Sequence, residues 1–266
     1  MDLSIIIPVY NSENILENLI NKIHESFNKR SFSKNFEVIL VNDFSHDQSW
    51  EKIKFLANKF VNVKGVCLSE NYGQHNAIMA GLKECSGNIV ITMDDDMQHS
   101  PESIIDIYNE LIKGFDVCYV YYLNRQHPLW KRFVSWLNNL ISSYLLNKPL
   151  KIYMSSFKGF KKSVLLEITK FQGSEVYLDG LILKATRNIS MVYVQHFKRL
   201  HGNSNYNFKK LLSLWSDMAV NFPLHPIRSA SFLGIIIKYL IIFYRKIFSK
   251  TKKNKKQYSI EEKTYK

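Results

Sequence analysis

The first half of the chain alternates between two apolar patterns. Leu3–Val9, Phe36–Val41, Val63–Leu68, Asn88–Met93 and Asp116–Tyr122 are short, near-continuous apolar runs. Between them, apolar residues recur at helical spacing: Ile15, Leu16, Leu19, Ile20 and Ile23, then Trp50, Ile53, Leu56 and Phe60, then segments over Gly73–Cys85 and Pro101–Lys113. A run that is apolar at every position, not at every second one, predicts a strand covered on both faces. Such strands in alternation with helices predict a mostly parallel sheet with right-handed crossovers. Ser100 ahead of Pro101 predicts an N-cap for the fourth helix.

The second half is less regular. Pro128–Leu146 predicts a long amphipathic helix, with Trp130, Phe133, Leu137, Ile141 and Leu145 near one face. Ser156–Phe160 and Met191–Phe197 predict strands, and Phe208–Phe222 a further helix ending near Pro223. The last apolar stretch is Phe232–Phe248, interrupted by Lys238. The uncharged runs on either side of Lys238 are too short to cross a hydrocarbon core of about 30 Å. A full span would also carry the basic tail away from the catalytic domain, against the positive-inside tendency. An interfacial or re-entrant helix is therefore expected over a span, with Lys238 reaching the surface.

Composition narrows the class. The 266 residues are 46% hydrophobic, enough for one large α/β domain. Cys67, Cys85 and Cys118 are scattered, which suits buried fillers in a reducing compartment and not a disulfide frame or a zinc site. The N-terminus has no basic n-region or cleavage site of a signal peptide. The net charge is +13, and Arg245, Lys246, Lys250, Lys252, Lys253, Lys255 and Lys256 concentrate part of it beside the apolar stretch. Charge placed there points to a membrane surface and not to nucleic acid. The expected organisation is a catalytic domain over 1–226, a membrane-associated apolar helix over 227–249 and a basic, disordered tail over 250–266.

In a parallel sheet, ligands bind beyond the carboxyl ends of the strands. Asn11, Asp43, Asn71 and the triplet Asp94-Asp95-Asp96 all fall there. A carboxylate cluster after a buried strand is costly unless solvated or neutralised by a cation, and Asp and Gln oxygens suit Mg²⁺ or Mn²⁺. Strand alternation would aim Asp94, Asp96 and Gln98 at one site. An exposed acidic loop is the competing reading. Tyr10, Asn11 and Asp43 could supply a stacking wall and acceptors for a nucleotide, although both turns are also ordinary strand-to-helix connections. Asn71-Tyr72-Gly73-Gln74 opens a helix whose N-terminus favours anions; His75 there reads as a hydrogen-bonded helix residue before a catalytic base. Arg125, Arg132 with Ser135, and Arg199 could grip phosphates through their forked guanidiniums.

Taken together, SIIIPVYNSE, EVILVNDFSHD, NYGQHNAIMAGL, VITMDDDMQHSPE, NRQHPLWKR, RLHGNSNYNFKKL and PIRSASFLG resemble, in order, the family 2 glycosyltransferases of the polyprenyl-phosphate branch. The resemblance covers nearly all of positions 1–235. NYGQHNAIMAG and the Arg199, Gly202, Ser204, Tyr206 pattern look specific to that branch, whereas PVYN and the aspartate cluster belong to the wider superfamily. Two departures stand out: many relatives carry two full transmembrane helices after the segment matching Pro226-Ile227-Arg228, and many read D-A-D where this chain has Asp95.

The resemblance implies a GT-A fold, Rossmann-like, with a mostly parallel sheet and a C-terminal membrane-associated segment. It implies an inverting, metal-dependent transfer of a sugar from a nucleotide sugar to a polyprenyl phosphate. Asp94, Asp96 and Gln98 would hold Mg²⁺ or Mn²⁺. Pro8, Tyr10, Asn11, Asp43, Ser45, Asn71, Gly73, Gln74 and Asp95 would surround the donor. Arg125, Arg132, Ser135, Arg199 and Ser204 would hold phosphates of donor and acceptor. The alternative acceptor is a hydroxyl of a growing surface polysaccharide or lipopolysaccharide. That acceptor would need a carboxylate base, for which Asp179 is the candidate, with a helix-cap role competing. The expected location is the cytoplasmic face of the cell membrane, with a homo-oligomer left open and no nucleic-acid partner.

Overall fold

The computed structural model describes residues 1–123, 129–174, 176–195 and 257–265, together with position 239; the side chains of 123, 129–134, 145 and 195 fall outside that description. The elements follow in the order β1 (Leu3–Val9), α1 (Leu16–Lys29), β2 (Phe36–Asn42), α2 (Ser49–Lys59), β3 (Val63–Leu68), α3 (Gln74–Glu84), β4 (Ile89–Thr92), α4 (Glu102–Ile112), β5 (Val117–Leu123), α5 (Leu129–Leu146), β6 (Lys158–Lys161), α6 (Lys162–Thr169), α7 (Leu178–Ala185), β7 (Ile189–Gln195) and β8 (Ile260–Lys263). One sheet holds the strands in the order β7-β5-β6-β4-β1-β2-β3-β8.

The continuous apolar runs behave as expected. Leu3, Ile5, Ile7 and Val9 of β1 face a core built with α1, α2 and α4, and Ile6 faces the opposite core with α3, α6 and α7. β1 pairs in parallel with β2 and β4, and β2 with β3, which gives the central order β3-β2-β1-β4. β5 and β7 are also parallel to each other. Two strands run against the rest: β6 between β4 and β5, and β8 on the outer edge of β3.

The crevice that matters lies between β1 and β4. Their pairing ends at Ile6↔Thr92, whereas β1 continues beside β2 to Val9↔Asn42. Pro8 lacks an N–H, and it sits past the last β4 partner, where no ladder bond to β4 is lost. The chain leaves β1 towards one side of the sheet and β4 lies on the other, so their carboxyl ends form a topological switch point.

Two expectations need correction, and two others fall on residues outside the description. The fourth helix starts at Glu102 with Pro101 at its N-cap position and no side-chain cap; Ser100 contributes its carbonyl, which accepts the Ser103 N–H at 3.0 Å. Residues 260–263, expected within a disordered tail, form β8. The Phe208–Phe222 helix and nearly all of the apolar Phe232–Phe248 stretch lie outside the described residues. Among the described residues no helix is long and apolar enough to cross a membrane.

Candidate active site

The loops that follow β1, β2, β3 and β4 meet at the crevice. After β1 the chain turns sharply, with Asn11 in the left-handed region at φ 54, a conformation that Asn tolerates better than most residues. The turn is tied to the one after β2: the Asn11 N–H donates to Ser45 Oγ at 3.0 Å, and Asn11 Oδ1 accepts the His46 N–H at 2.9 Å. Tyr10 and Phe44 remain exposed at this rim, each edge-on to His46.

Asp43 fastens the next loop. Its two carboxylate oxygens accept the N–H groups of Tyr72 at 2.8 Å and Gly73 at 2.9 Å, and its carbonyl accepts Asn71 Nδ2 at 3.1 Å. Gly73 has φ 86, where a side chain would be strained. Burial raises the Asp43 carboxyl above its ordinary value despite those two donors. The same loop then reaches across to the triplet, because Gln74 Nε2 donates to Asp94 Oδ1 at 2.6 Å.

The triplet does not continue the strand. β4 stops at Thr92, and Met97 adopts φ 60, so the chain turns and the alternation expected to align Asp94, Asp96 and Gln98 does not carry past the strand end. The three carboxylates diverge. Asp94 Oδ2 accepts Ser156 Oγ at 2.6 Å and lies 3.2 Å from His99 Nε2. Asp95, expected at the donor, turns back to β1: its Oδ2 accepts Ser12 Oγ at 2.5 Å and the Tyr10 N–H at 3.4 Å. Asp96 Oδ1 accepts the Gln98 N–H at 3.0 Å.

Electrostatics separate them further. Burial alone would raise Asp94, but the hydrogen bonds of His99 and Ser156 and the charge of Lys158 outweigh it and hold the carboxyl below its ordinary value. Asp95 is pushed up to about 6, first by burial and then by the charges of Asp94 and Asp96, against the pull of Ser12 and the Tyr10 N–H. Three carboxylates on one short loop repel one another, and a divalent cation would relieve that repulsion. Among the described residues no group of three or more His, Cys, Asp or Glu side chains is arranged to hold a metal ion. The carboxylate oxygens of Asp94 and Asp96 are of the hard donor type that suits Mg²⁺ or Mn²⁺.

Several contributors were not foreseen. His99 is buried, hydrogen-bonded through Nδ1 to the Tyr122 hydroxyl, and packed on the rings of Tyr122 and Phe157. Its place directly after Gln98 in the acidic segment was the available signal. Ser12 lies one residue after Asn11 and was equally within reach. Ser156 had no local signal, because it is brought in by β6, which inserts antiparallel beside β4; Thr92 Oγ1 fixes it by donating to the Ser156 carbonyl at 2.8 Å.

Asp179 is not directed at the triplet. It is buried in the first turn of α7, and its Oδ1 accepts the Tyr119 hydroxyl at 2.9 Å and pairs with Lys158 Nζ. His75 packs edge-on to Tyr177, and its Nδ1 has no hydrogen-bond partner among the described residues. Ser135 is half-buried on α5; Arg132 lies on the same helix with its side chain outside the description, and Arg125, Arg199 and Ser204 lie outside the described residues altogether.

Known proteins resemble this chain in sequence and in fold. The chain is 31% identical over 256 residues to the undecaprenyl-phosphate 4-deoxy-4-formamido-L-arabinose transferase of Pseudomonas syringae pv. syringae, covering 92% of this chain and 74% of that one. The transferase of the same name from Salmonella choleraesuis is 31% identical over 235 residues, covering 88% and 71%. The fold is similar to S. aureus TarS in complex with UDP-GlcNAc, with a TM-score of 0.55, 23% identity and coverage of 95% and 74%. It is also similar to glucosyl-3-phosphoglycerate synthase from Mycobacterium tuberculosis in complex with Mn²⁺, UDP and glucosyl-3-phosphoglycerate, with a TM-score of 0.58, 16% identity and coverage of 84% and 81%. The model for glycosyl transferase family 2 matches residues 4–169, which hold the whole β1–β4 crevice, the triplet and Ser156. The chain therefore belongs to glycosyl transferase family 2.

Proposed function

We propose that this glycosyltransferase moves a sugar, with inversion, from a nucleotide sugar to a polyprenyl phosphate at a membrane surface. The observation that carries the reading is the bridged crevice at the switch point: one loop joins Asp43 to Asp94 through Tyr72, Gly73 and Gln74. The names of the relatives from Pseudomonas and Salmonella support the acceptor class.

In this reading Tyr10, Asn11, Ser45 and the Asp43 loop receive the nucleotide, and the diphosphate lies over the triplet. Asp94 and Asp96 would hold a divalent cation there, with Gln98 as a further oxygen donor. Such a cation supplies charge neutralisation for the departing diphosphate. Gln74, His99 and Ser156 fix the Asp94 carboxylate in one orientation, which spares reorganisation during the reaction. The acceptor phosphate oxygen attacks the anomeric carbon from the face opposite the diphosphate; the new C–O bond forms as the sugar–diphosphate bond breaks. That nucleophile is already an anion, so no general base is required. Arg125, Arg132, Ser135, Arg199 and Ser204 are the residues proposed to hold phosphates.

The test is purified full-length protein with Mn²⁺ or Mg²⁺, a panel of radiolabelled nucleotide sugars and undecaprenyl phosphate. Label passing into the organic phase as an acid-labile glycosyl phosphate is the expected result. Label appearing only in polar oligosaccharide, when a glycan acceptor is added, would overturn the lipid acceptor in favour of a sugar hydroxyl.

A further inference from the structure

Phe44 is out of place on two counts. Its backbone adopts φ 57, the left-handed region, where a residue with a bulky side chain is disfavoured. Its ring is exposed and packs into neither face of the core. Among the described residues the one ring contact it makes is edge-on to His46, at 5.7 Å between centroids. The cause of the backbone conformation lies on either side. The Asp43 N–H donates to the Val9 carbonyl at 2.9 Å, and the Asp43 carboxylate holds the N–H groups of Tyr72 and Gly73. The Ser45 N–H donates to Asn42 Oδ1 at 3.3 Å, Ser45 Oγ accepts the Asn11 N–H at 3.0 Å, and the His46 N–H donates to Asn11 Oδ1 at 2.9 Å. With residues 43, 45 and 46 all fastened, the chain has to turn at 44, in a conformation suited to glycine. A phenylalanine there carries strain that no described contact of its ring offsets. An outlier of this kind beside a crevice points to function.

The surroundings of the ring indicate what it meets. Tyr10, also exposed, stands edge-on to the same imidazole, at 6.4 Å between centroids. Three flat side chains therefore share one rim, on the two turns that Asn11 and Ser45 tie together. Asp43, the residue before Phe44, is joined through Tyr72, Gly73 and Gln74 to Asp94, over which the diphosphate is proposed to lie. A nucleotide anchored there has a flat, partly apolar base to place, and an exposed ring held on a pinned turn is a ready surface for it. We propose that Phe44 is a donor-binding residue whose ring stacks on the nucleobase of the nucleotide sugar, as an aromatic surface additional to Tyr10. The contact supplies affinity and not base identity, because every base presents a π face. This role of Phe44 rests on the nucleotide-sugar reading and is indifferent to the acceptor.

Calorimetric titration of the full-length chain decides it, in the presence of Mn²⁺, with UDP, GDP, CDP and ADP and with inorganic pyrophosphate, which has no base. Phe44→Ala should weaken the nucleoside diphosphate that the parent binds best by about 10-fold and leave pyrophosphate binding unchanged, whereas Phe44→Tyr should keep the parent's affinity. Phe44→Gly should lose as much nucleotide affinity as Phe44→Ala yet melt at a higher temperature, because glycine occupies positive φ without steric cost. Unchanged nucleotide affinity in Phe44→Ala would overturn the role of Phe44 and leave the donor reading intact. An equal loss towards pyrophosphate would also overturn it, since the ring would then serve the loop that meets the phosphates. A glycine variant no more stable than the alanine variant would remove the strain from which the role was inferred. A parent that binds none of the four nucleoside diphosphates more tightly than pyrophosphate would overturn both the role of Phe44 and the donor reading.

Discussion

The central sheet has acids at both ends of its strands, and the two ends treat them differently. At the start of β2, Glu37 is fully buried, yet its carboxylate is saturated: Oε1 accepts Ser4 Oγ at 2.6 Å, the Ser86 N–H at 2.7 Å and Ser86 Oγ at 2.8 Å, and Oε2 accepts Lys64 Nζ at 2.8 Å. Burial would raise its pKa, but these partners outweigh it and lower it. Beyond the other end of the sheet, Asp94, Asp95 and Asp96 crowd one loop, and Asp95 is pushed up to about 6. A compensated carboxylate holds elements together. A group of carboxylates crowded on one loop, one of them raised, is the setting in which a cation and a ligand would add attraction. The contrast sets the acids at the carboxyl ends of the strands, where ligands bind in parallel sheets, against a structural acid at the amino end.

The largest effect should separate the two poles outright. Asp96→Ala is expected to lower sugar transfer by about 1,000-fold, with a thermal melting curve within a few degrees of the parent. Near-normal turnover of that variant would falsify the assignment of the triplet. At the other pole Glu37→Ala should leave Lys64 and the Ser4 and Ser86 donors without their acceptor and cost about 3–5 kcal/mol of stability, read by urea unfolding, while the kcat of the surviving folded fraction is unchanged.

Acid should act through the same pole. Glu37 has a folded pKa below its ordinary 4.5. Its contribution is therefore present in full above that value and is lost as pH falls through the folded pKa. Stability of the parent should drop on acidification below pH 4.5, and Glu37→Gln should flatten that limb while lowering the neutral plateau. A variant with the parent's full acid limb would show that Glu37 is not its source.

Smaller effects probe the supports. Ser156→Ala removes a donor to Asp94 and should reduce activity by about 10–100-fold, with the fold intact by circular dichroism; a loss as large as that of Asp96→Ala would mean that Ser156 touches substrate itself. Trp50→Phe removes one partly exposed bond to Glu262 and should cost about 0.5–1.5 kcal/mol, measured by the urea midpoint, with sugar transfer unaffected.

Much of this was legible along the chain. The double-sided burial of β1 to β4 follows from runs such as Ile5-Ile6-Ile7 and Ile89-Val90-Ile91, because a strand that is apolar at every position has no face left for water. The order of these runs with helices by itself puts Asn11, Asp43, Asn71 and Asp94 at one end of the sheet. The direction of the triplet was not legible. Strand periodicity stops being a guide where the strand stops, and the left-handed turn at Met97 sends Asp94 towards Ser156, Asp95 towards Ser12 and Asp96 onto its own loop.

The sequence alone determined which residues could be buried, which segments could be strands and where charge would collect, since these depend on local composition and period. Tertiary structure decided which distant groups meet: Ser156 on the antiparallel β6, Asp179 spent on Lys158, and Ile260–Lys263 closing the edge of β3 from a region that reads locally as a charged tail. Such pairings link positions many residues apart, and their free energy comes from partners that no local window contains.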